Sequence, residues 1–196
     1  MGLSLAGFDV TGIDLKPQPR YPFGFIQGDV LNFGPQFLGN FDLVWASPPC
    51  QRHSMFSRNL GTAHKFPDLI PATRELLEES DRPFIIENVV GAPLRNPITL
   101  CGTMFGLKLL RHRLFETNWP VEPPTCCLHR GDEIPVYGNG TPQWHRETWG
   151  RNISIAEKRA AMGIDWTNRT ELSQAIPPAY SRFLATQWLI QSGQQP

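Results

Sequence analysis

The sequence has few cysteines, no long apolar run and no excess of charge of either sign, and each shortage excludes something. Cysteine occurs only at positions 50, 101, 126 and 127, and two of these are adjacent. That is a poor disulfide framework for a chain of this length, so reduced thiols are expected. No stretch of about 18 apolar residues occurs, and the opening MGLSLAGFDVTGIDLKPQP lacks both a cationic lead and a sustained apolar core. Neither a membrane span nor a secretory leader is therefore expected, which points to a soluble, cytoplasmic protein. Lys plus Arg number 18 and Asp plus Glu number 18, so the overall field selects no polyanionic partner, although a local basic groove remains compatible with it. Repeats and low-complexity tracts are absent. At 196 residues the default is one compact domain, large enough to bury a core without metal or disulfide staples.

Proline and tryptophan are abundant instead, at 19 and six, and the prolines cut the chain into short elements joined by stiff loops. GLSLAGFDVTGIDL reads as a short helix stopped by Gly7 and a strand ending on Asp14. PFGFIQGDVLNF supplies a second apolar segment, with Asp29 in it, and FDLVWAS reads as a strand buried on both faces. Residues 67–80 carry apolar positions at helical spacing, Pro71 suiting the first turn. RPFIIENVV is again a buried strand. This rhythm of strand and helix predicts a parallel, doubly wound α/β sheet, whose ligands bind at the carboxyl ends of the strands. Asp14, Asp29, Cys50 and Glu87 all fall at such ends. Further on, RHRLFE predicts a strand, and SIAEKRAAMG a helix with a Ser154–Glu157 capping box and Gly163 as its stop. An amphipathic helix closes the chain.

Three stretches carry chemistry. In SPPCQ the two prolines stiffen the loop from which Cys50 projects. A free cysteine is most often an inert buried hydrophobe, whereas Arg52 and His53, close by, are the positive company a thiolate needs. In IIENVV an acid at the end of a buried strand is partly desolvated, which suits Glu87 to hold a proton near neutrality; its plainer reading is a loop carboxylate paired with Arg82 or Arg95. In RHRLFE, alternation puts Arg111 and Arg113 on one face, fit for a phosphate or carbonyl oxygen or, more plainly, a solvated strand edge.

In this order and spacing, SPPCQ, ENV and RHRLFE, with GLSLAGFDVTGID ahead and QAIPPAYSRFLA behind, resemble the DNA cytosine-5 methyltransferases, the small phage-type members above all. The resemblance spans nearly the whole chain. It implies a Rossmann-like, mostly parallel α/β fold over residues 1–196 and transfer of methyl from S-adenosylmethionine to C5 of cytosine in DNA. It assigns Cys50 as the nucleophile that adds to C6, Glu87 as the acid at N3 and the amino group, and Arg111 and Arg113 as aids at base and phosphate. It further assigns the cofactor to Gly2, Leu3, Asp14, Asp29, Val30 and Pro48. The target cytosine would be flipped from the duplex by a protein expected to be monomeric.

The chain also departs from the family. The Gly-rich FxGxGG loop and the central strand before it should precede GLSLAGF, so either the sheet lacks that strand and cofactor binding is weak, or the first residues and the closing helix fill the gap. Residues 117–150 form a reduced, loop-rich recognition region. Cys126, Cys127, His129 and His145 in it admit a zinc site, but adjacent cysteines miss the usual spacing, and no metal is expected. In the tail Gln174-Ala175 replaces the family's Gly-Asn. Two other readings remain open, a DNA-binding remnant without catalysis and methylation of free cytosine nucleotides. An amino-methyltransferase has an aromatic ring where Cys50 stands, and a zinc deaminase needs a PCxxC that does not follow HRE.

Overall fold

A computed structural model describes residues 1–125, 129–137, 147, 150 and 152–194. It is a mixed α/β structure of two compact units that interleave in sequence: a motif-bearing unit of Thr11–Thr99 and His112–Pro123, and a flanking unit of Met1–Val10, Leu100–Arg111 and Pro124–Pro196.

The motif-bearing unit starts with β1 (Thr11–Asp14) and β2 (Gly24–Gln27), paired parallel with Asp14 opposite Gln27. Three prolines in residues 15–23, at 17, 19 and 22, keep the connection from becoming a helix. A short 3-10 turn (Val30–Asn32) and α2 (Pro35–Leu38) lead to β3 (Val44–Ala46). After α3 (Met55–Asn59) comes α4 (Ile70–Glu79), with its proline in the first turn as the sequence predicts. Then follow β4 (Phe84–Asn88), β5 (Ile98–Leu100) and, after β6 (Leu109–Leu110) of the flanking unit, β7 (Arg113–Thr117). The four-stranded sheet runs β3-β4-β7-β5, with β3 parallel and β7 antiparallel to β4. Every residue of β4 is buried. Phe84 and Ile86 pack with Leu38, Ile70, Leu76 and Leu77, so that α2 and α4 cover one face of the sheet.

One expectation is corrected here. FDLVWAS was expected to be buried on both faces, yet all three residues of β3 are only half-buried. β3 stands at the end of the strand order, so among the described residues one of its edges has no neighbouring strand. β1 and β2 form a sheet of their own. Among the described residues neither β1 nor β2 pairs with a strand of the four-stranded sheet.

In the flanking unit α1 (Gly2–Leu5) lies against α7 (Pro178–Gln191), and β6 (Leu109–Leu110) pairs parallel with β8 (Ile134–Pro135). α5 (Ile155–Met162) begins with the expected Ser154–Glu157 capping box and ends at Gly163, whose φ of 67° suits glycine. α6 (Arg169–Gln174) has a second capping box, Asn168 with Glu171. Leu109, Ile134, Val136, Ile153, Met162 and Leu172 form the core. Residues 134–136, expected to be loop in the recognition region, are therefore partly core. The cause is the apolar pair Ile134 and Val136, 8% and 2% exposed, on either side of Pro135. Cys126, Cys127 and His145 lie outside the described residues.

Candidate active site

The motif-bearing unit brings SPPCQ and ENV together. β3 and β4 are parallel neighbours, Ala46 opposite Ile86, so both chains leave the sheet at the same end. There the Asn88 amide donates to the Pro48 carbonyl at 2.9 Å, and its own oxygen accepts from the Val89 N–H at 2.9 Å. Asn88 is 1% exposed, so this pair of bonds fixes the Cys50 loop to the end of β4 from within. Cys50 itself is half-buried and unpaired with any other cysteine. Its carbonyl accepts from the N–H groups of His53 (3.0 Å) and Ser54 (2.9 Å), a tight turn that places the thiol just ahead of α3.

Glu87 sits one residue before Asn88 and opposite Phe115 of β7. Two residues before Phe115, on the same face of the antiparallel pair, stands Arg113. Its Nε lies 3.1 Å from Glu87 Oε1, with both side chains largely buried. Of the expected alternative partners, Arg95 pairs with Glu78 at 2.6 Å. Cys50, Glu87 and Arg113 therefore belong to one unit and one end of its sheet.

The positive company expected for the thiol is differently employed. Arg52 donates to the Ala63 carbonyl at 3.2 Å, and the buried His53 ring meets Asp68 Oδ1 at 3.0 Å. Asp68 also accepts from the N–H of Ile70, tying the turn to the start of α4. The sequence reading missed Asp68, because nothing local to it announces a partner 15 residues away.

Arg111 departs from its expected role. It belongs to the flanking unit, is fully buried, and donates from its two terminal nitrogens to the carbonyls of Val136 and Ser173. The Tyr180 hydroxyl donates to its carbonyl at 2.7 Å. β7 begins only at Arg113, so strand alternation does not extend back to Arg111. Arg111 braces a core.

Of the expected cofactor residues, Asp14 and Asp29 stand at the carboxyl ends of β1 and β2. Asp14 accepts from the Lys16 N–H at 2.8 Å and Asp29 from the Leu31 N–H at 3.1 Å, each through one carboxylate oxygen. Val30, next to Asp29, is half-buried, and Pro48 is held by Asn88 as described. Gly2 and Leu3 lie in the flanking unit. A Cβ on Gly2 would stand 2.0 Å from Ser181 Oγ and 2.2 Å from the Pro178 carbonyl, so this glycine permits helix packing and offers no cradle.

The single acid of RHRLFE, Glu116, is structural. Arg74 grips it through Nε and Nη2, both at 2.7 Å, and the Arg95 N–H adds a third bond at 2.7 Å. Burial pushes its pKa up, but these donors outweigh burial and hold the carboxyl below its ordinary value. Among the described residues no helix is long and apolar enough to cross a membrane. No protein-family model matches the chain, and no curated protein matches it.

Proposed function

We propose that this protein transfers a methyl group from S-adenosylmethionine to C5 of cytosine in DNA through a covalent adduct on Cys50. The observation that carries the reading is the convergence of three sequence-distant residues at one sheet end: Cys50 on a loop bonded to Asn88, and Glu87 beside Asn88 in contact with Arg113. A thiol and a carboxyl across one crevice are what the chemistry requires. C5 of cytosine is a poor nucleophile until a thiolate adds to C6, and the addition is easier when an acid offsets negative charge growing at N3. In this reading the Cys50 sulfur forms the bond to C6, C5 takes the methyl group with S-adenosylhomocysteine as the leaving thioether, and loss of the C5 proton to water then returns the electron pair that expels the sulfur as thiolate. Glu87 holds a proton at N3, and Arg113 orients Glu87 and faces the base or its phosphate.

The cofactor supplies the methyl group. Asp14, Asp29 and Val30, at the ends of a parallel strand pair, are the residues that would hold it, with Pro48 bordering both ligands. Such strand ends suit a ribose hydroxyl and an adenine amine. The fold proposed is the Rossmann-like methyltransferase sheet.

Incubation with tritiated cofactor and cytosine-containing DNA tests the reading. Label should enter DNA with the native protein and not with Cys50→Ala. Transfer that survives Cys50→Ala, or that acts on free cytosine nucleotides and spares DNA, would overturn the nucleophile or the substrate respectively.

A further inference from the structure

Cys50 sits between two tethers, one on each side of it in sequence and both within the motif-bearing unit. Upstream, the Pro48 carbonyl is bonded to Asn88 at the end of β4. Downstream, the His53 ring meets Asp68 at 3.0 Å, and Asp68 accepts from the Ile70 N–H at 3.2 Å, where α4 begins. A carboxylate only accepts, so this contact assigns the ring proton to Nε2 of His53. The His53 N–H also donates to the Cys50 carbonyl at 3.0 Å, so one residue both closes the Cys50 turn and links it to α4. The His53 side chain is 9% exposed and that of Asp68 34%. A buried imidazole costs free energy unless it is bonded, which makes this ring a poor space-filler and a good means of fixing a direction. Between the tethers Pro48 and Pro49 have fixed φ, and the Cys50 carbonyl accepts from both His53 and Ser54, so the residue that bears the thiol keeps little backbone freedom.

We propose that His53 and Asp68 are positioning residues for the reaction of Cys50, holding its sulfur where it adds to C6 of the flipped cytosine. The inference rests on the reading of Cys50 as the nucleophile and extends it to a pair that acts through the backbone turn. Productive attack needs the reacting atoms about 3–3.5 Å apart, and a displacement of about 1 Å costs on the order of 10²-fold in rate. A loop anchored at Pro48 alone lets the thiol swing about that anchor; a second anchor at His53 removes the swing. Because the pair sets where the sulfur lies, its effect falls on kcat rather than on KM for DNA. Cys50 is half-buried, so release of the turn also opens the thiol to solvent.

The test follows steady-state methyl transfer with DNA varied at saturating S-adenosylmethionine, beside Tm and the rate at which iodoacetamide alkylates Cys50, read by peptide mass spectrometry. Asp68→Ala should lower kcat at least about tenfold, leave KM for DNA within about threefold and speed Cys50 alkylation at least about threefold. Asp68→Asn keeps an acceptor oxygen and should return both rates to within about threefold of native. His53→Phe, which keeps a ring and loses the bond, should behave as Asp68→Ala does. A pair that only braces α4 would lower Tm and leave kcat and Cys50 alkylation of the folded protein near native. That result, or an Asp68→Asn loss equal to that of Asp68→Ala, would overturn the proposal. Alkylation needs neither DNA nor cofactor, so the two readings fail separately: a native protein that transfers no methyl group overturns Cys50 as nucleophile, whereas unchanged Cys50 alkylation in Asp68→Ala overturns the tether itself.

Discussion

Glu87 and Glu116 sit on neighbouring antiparallel strands, Glu116 opposite Ile86 and Glu87 opposite Phe115, and each meets an arginine, the buried Arg74 for Glu116 and the half-buried Arg113 for Glu87. Glu116 is held by three donors at 2.7 Å, two of them from one guanidinium in a fork that fits a carboxylate. Glu87 meets Arg113 through Nε at 3.1 Å, at the sheet end where the Cys50 loop is bonded. The same pair of residue types is joined by two bonds at 2.7 Å in Arg74–Glu116 and meets at 3.1 Å in Arg113–Glu87. A carboxylate locked by short bonds stabilises a fold; one that must exchange a proton with a base ring cannot be locked in that way. Under the proposed function, Glu116 would serve the fold and Glu87 the chemistry.

Substitutions sharpen this contrast. Glu87→Gln should lower methyl transfer by about 10²–10³-fold, the scale of losing one group that offsets charge in the transition state, with little change in Tm. Glu116→Gln should do the reverse. It leaves Arg74 buried without its countercharge and should cost about 3 kcal/mol in urea unfolding. Arg74→Met combined with Glu116→Met should recover most of that loss, because both charges then leave together. Asn88→Ala should cost about 1–2 kcal/mol and lower activity more than stability, since the Pro48 carbonyl loses its donor and the Cys50 loop its anchor.

The smallest expected effect is a pH dependence. The folded-state pKa of Glu116 lies below its unfolded value, so its contribution is fully present above the ordinary carboxylate value of about 4.3. It is lost as pH falls through the lower folded value. Unfolding followed from pH 6 down to 3 should show this slope in the native chain and less of it in Glu116→Gln.

Much of the site was legible because it is written in short, local patterns. Prolines beside Cys50, an acid at the end of an unbroken apolar run, and a capping box with its glycine stop all depend on residues within a few positions. What was not legible depends on distant partners. Arg74 looks like any polar residue on an amphipathic helix until Glu116 meets it 42 residues later. Asp68 gives no local sign that it will hold His53. Arg111 reads as a functional cation because periodicity records which face a side chain takes, not whether carbonyls from Val136 and Ser173 already occupy it. β3 reads as fully buried because its composition suits a central strand, while its exposure is set by what lies beside it.

The most direct measurement is a mechanism-based trap. An oligonucleotide bearing 5-fluorocytosine, incubated with the protein and S-adenosylmethionine, cannot lose the C5 substituent, so the adduct should accumulate. Digestion and mass spectrometry should find the fluoropyrimidine on Cys50. Protein that binds both ligands yet keeps Cys50 unmodified would contradict the account.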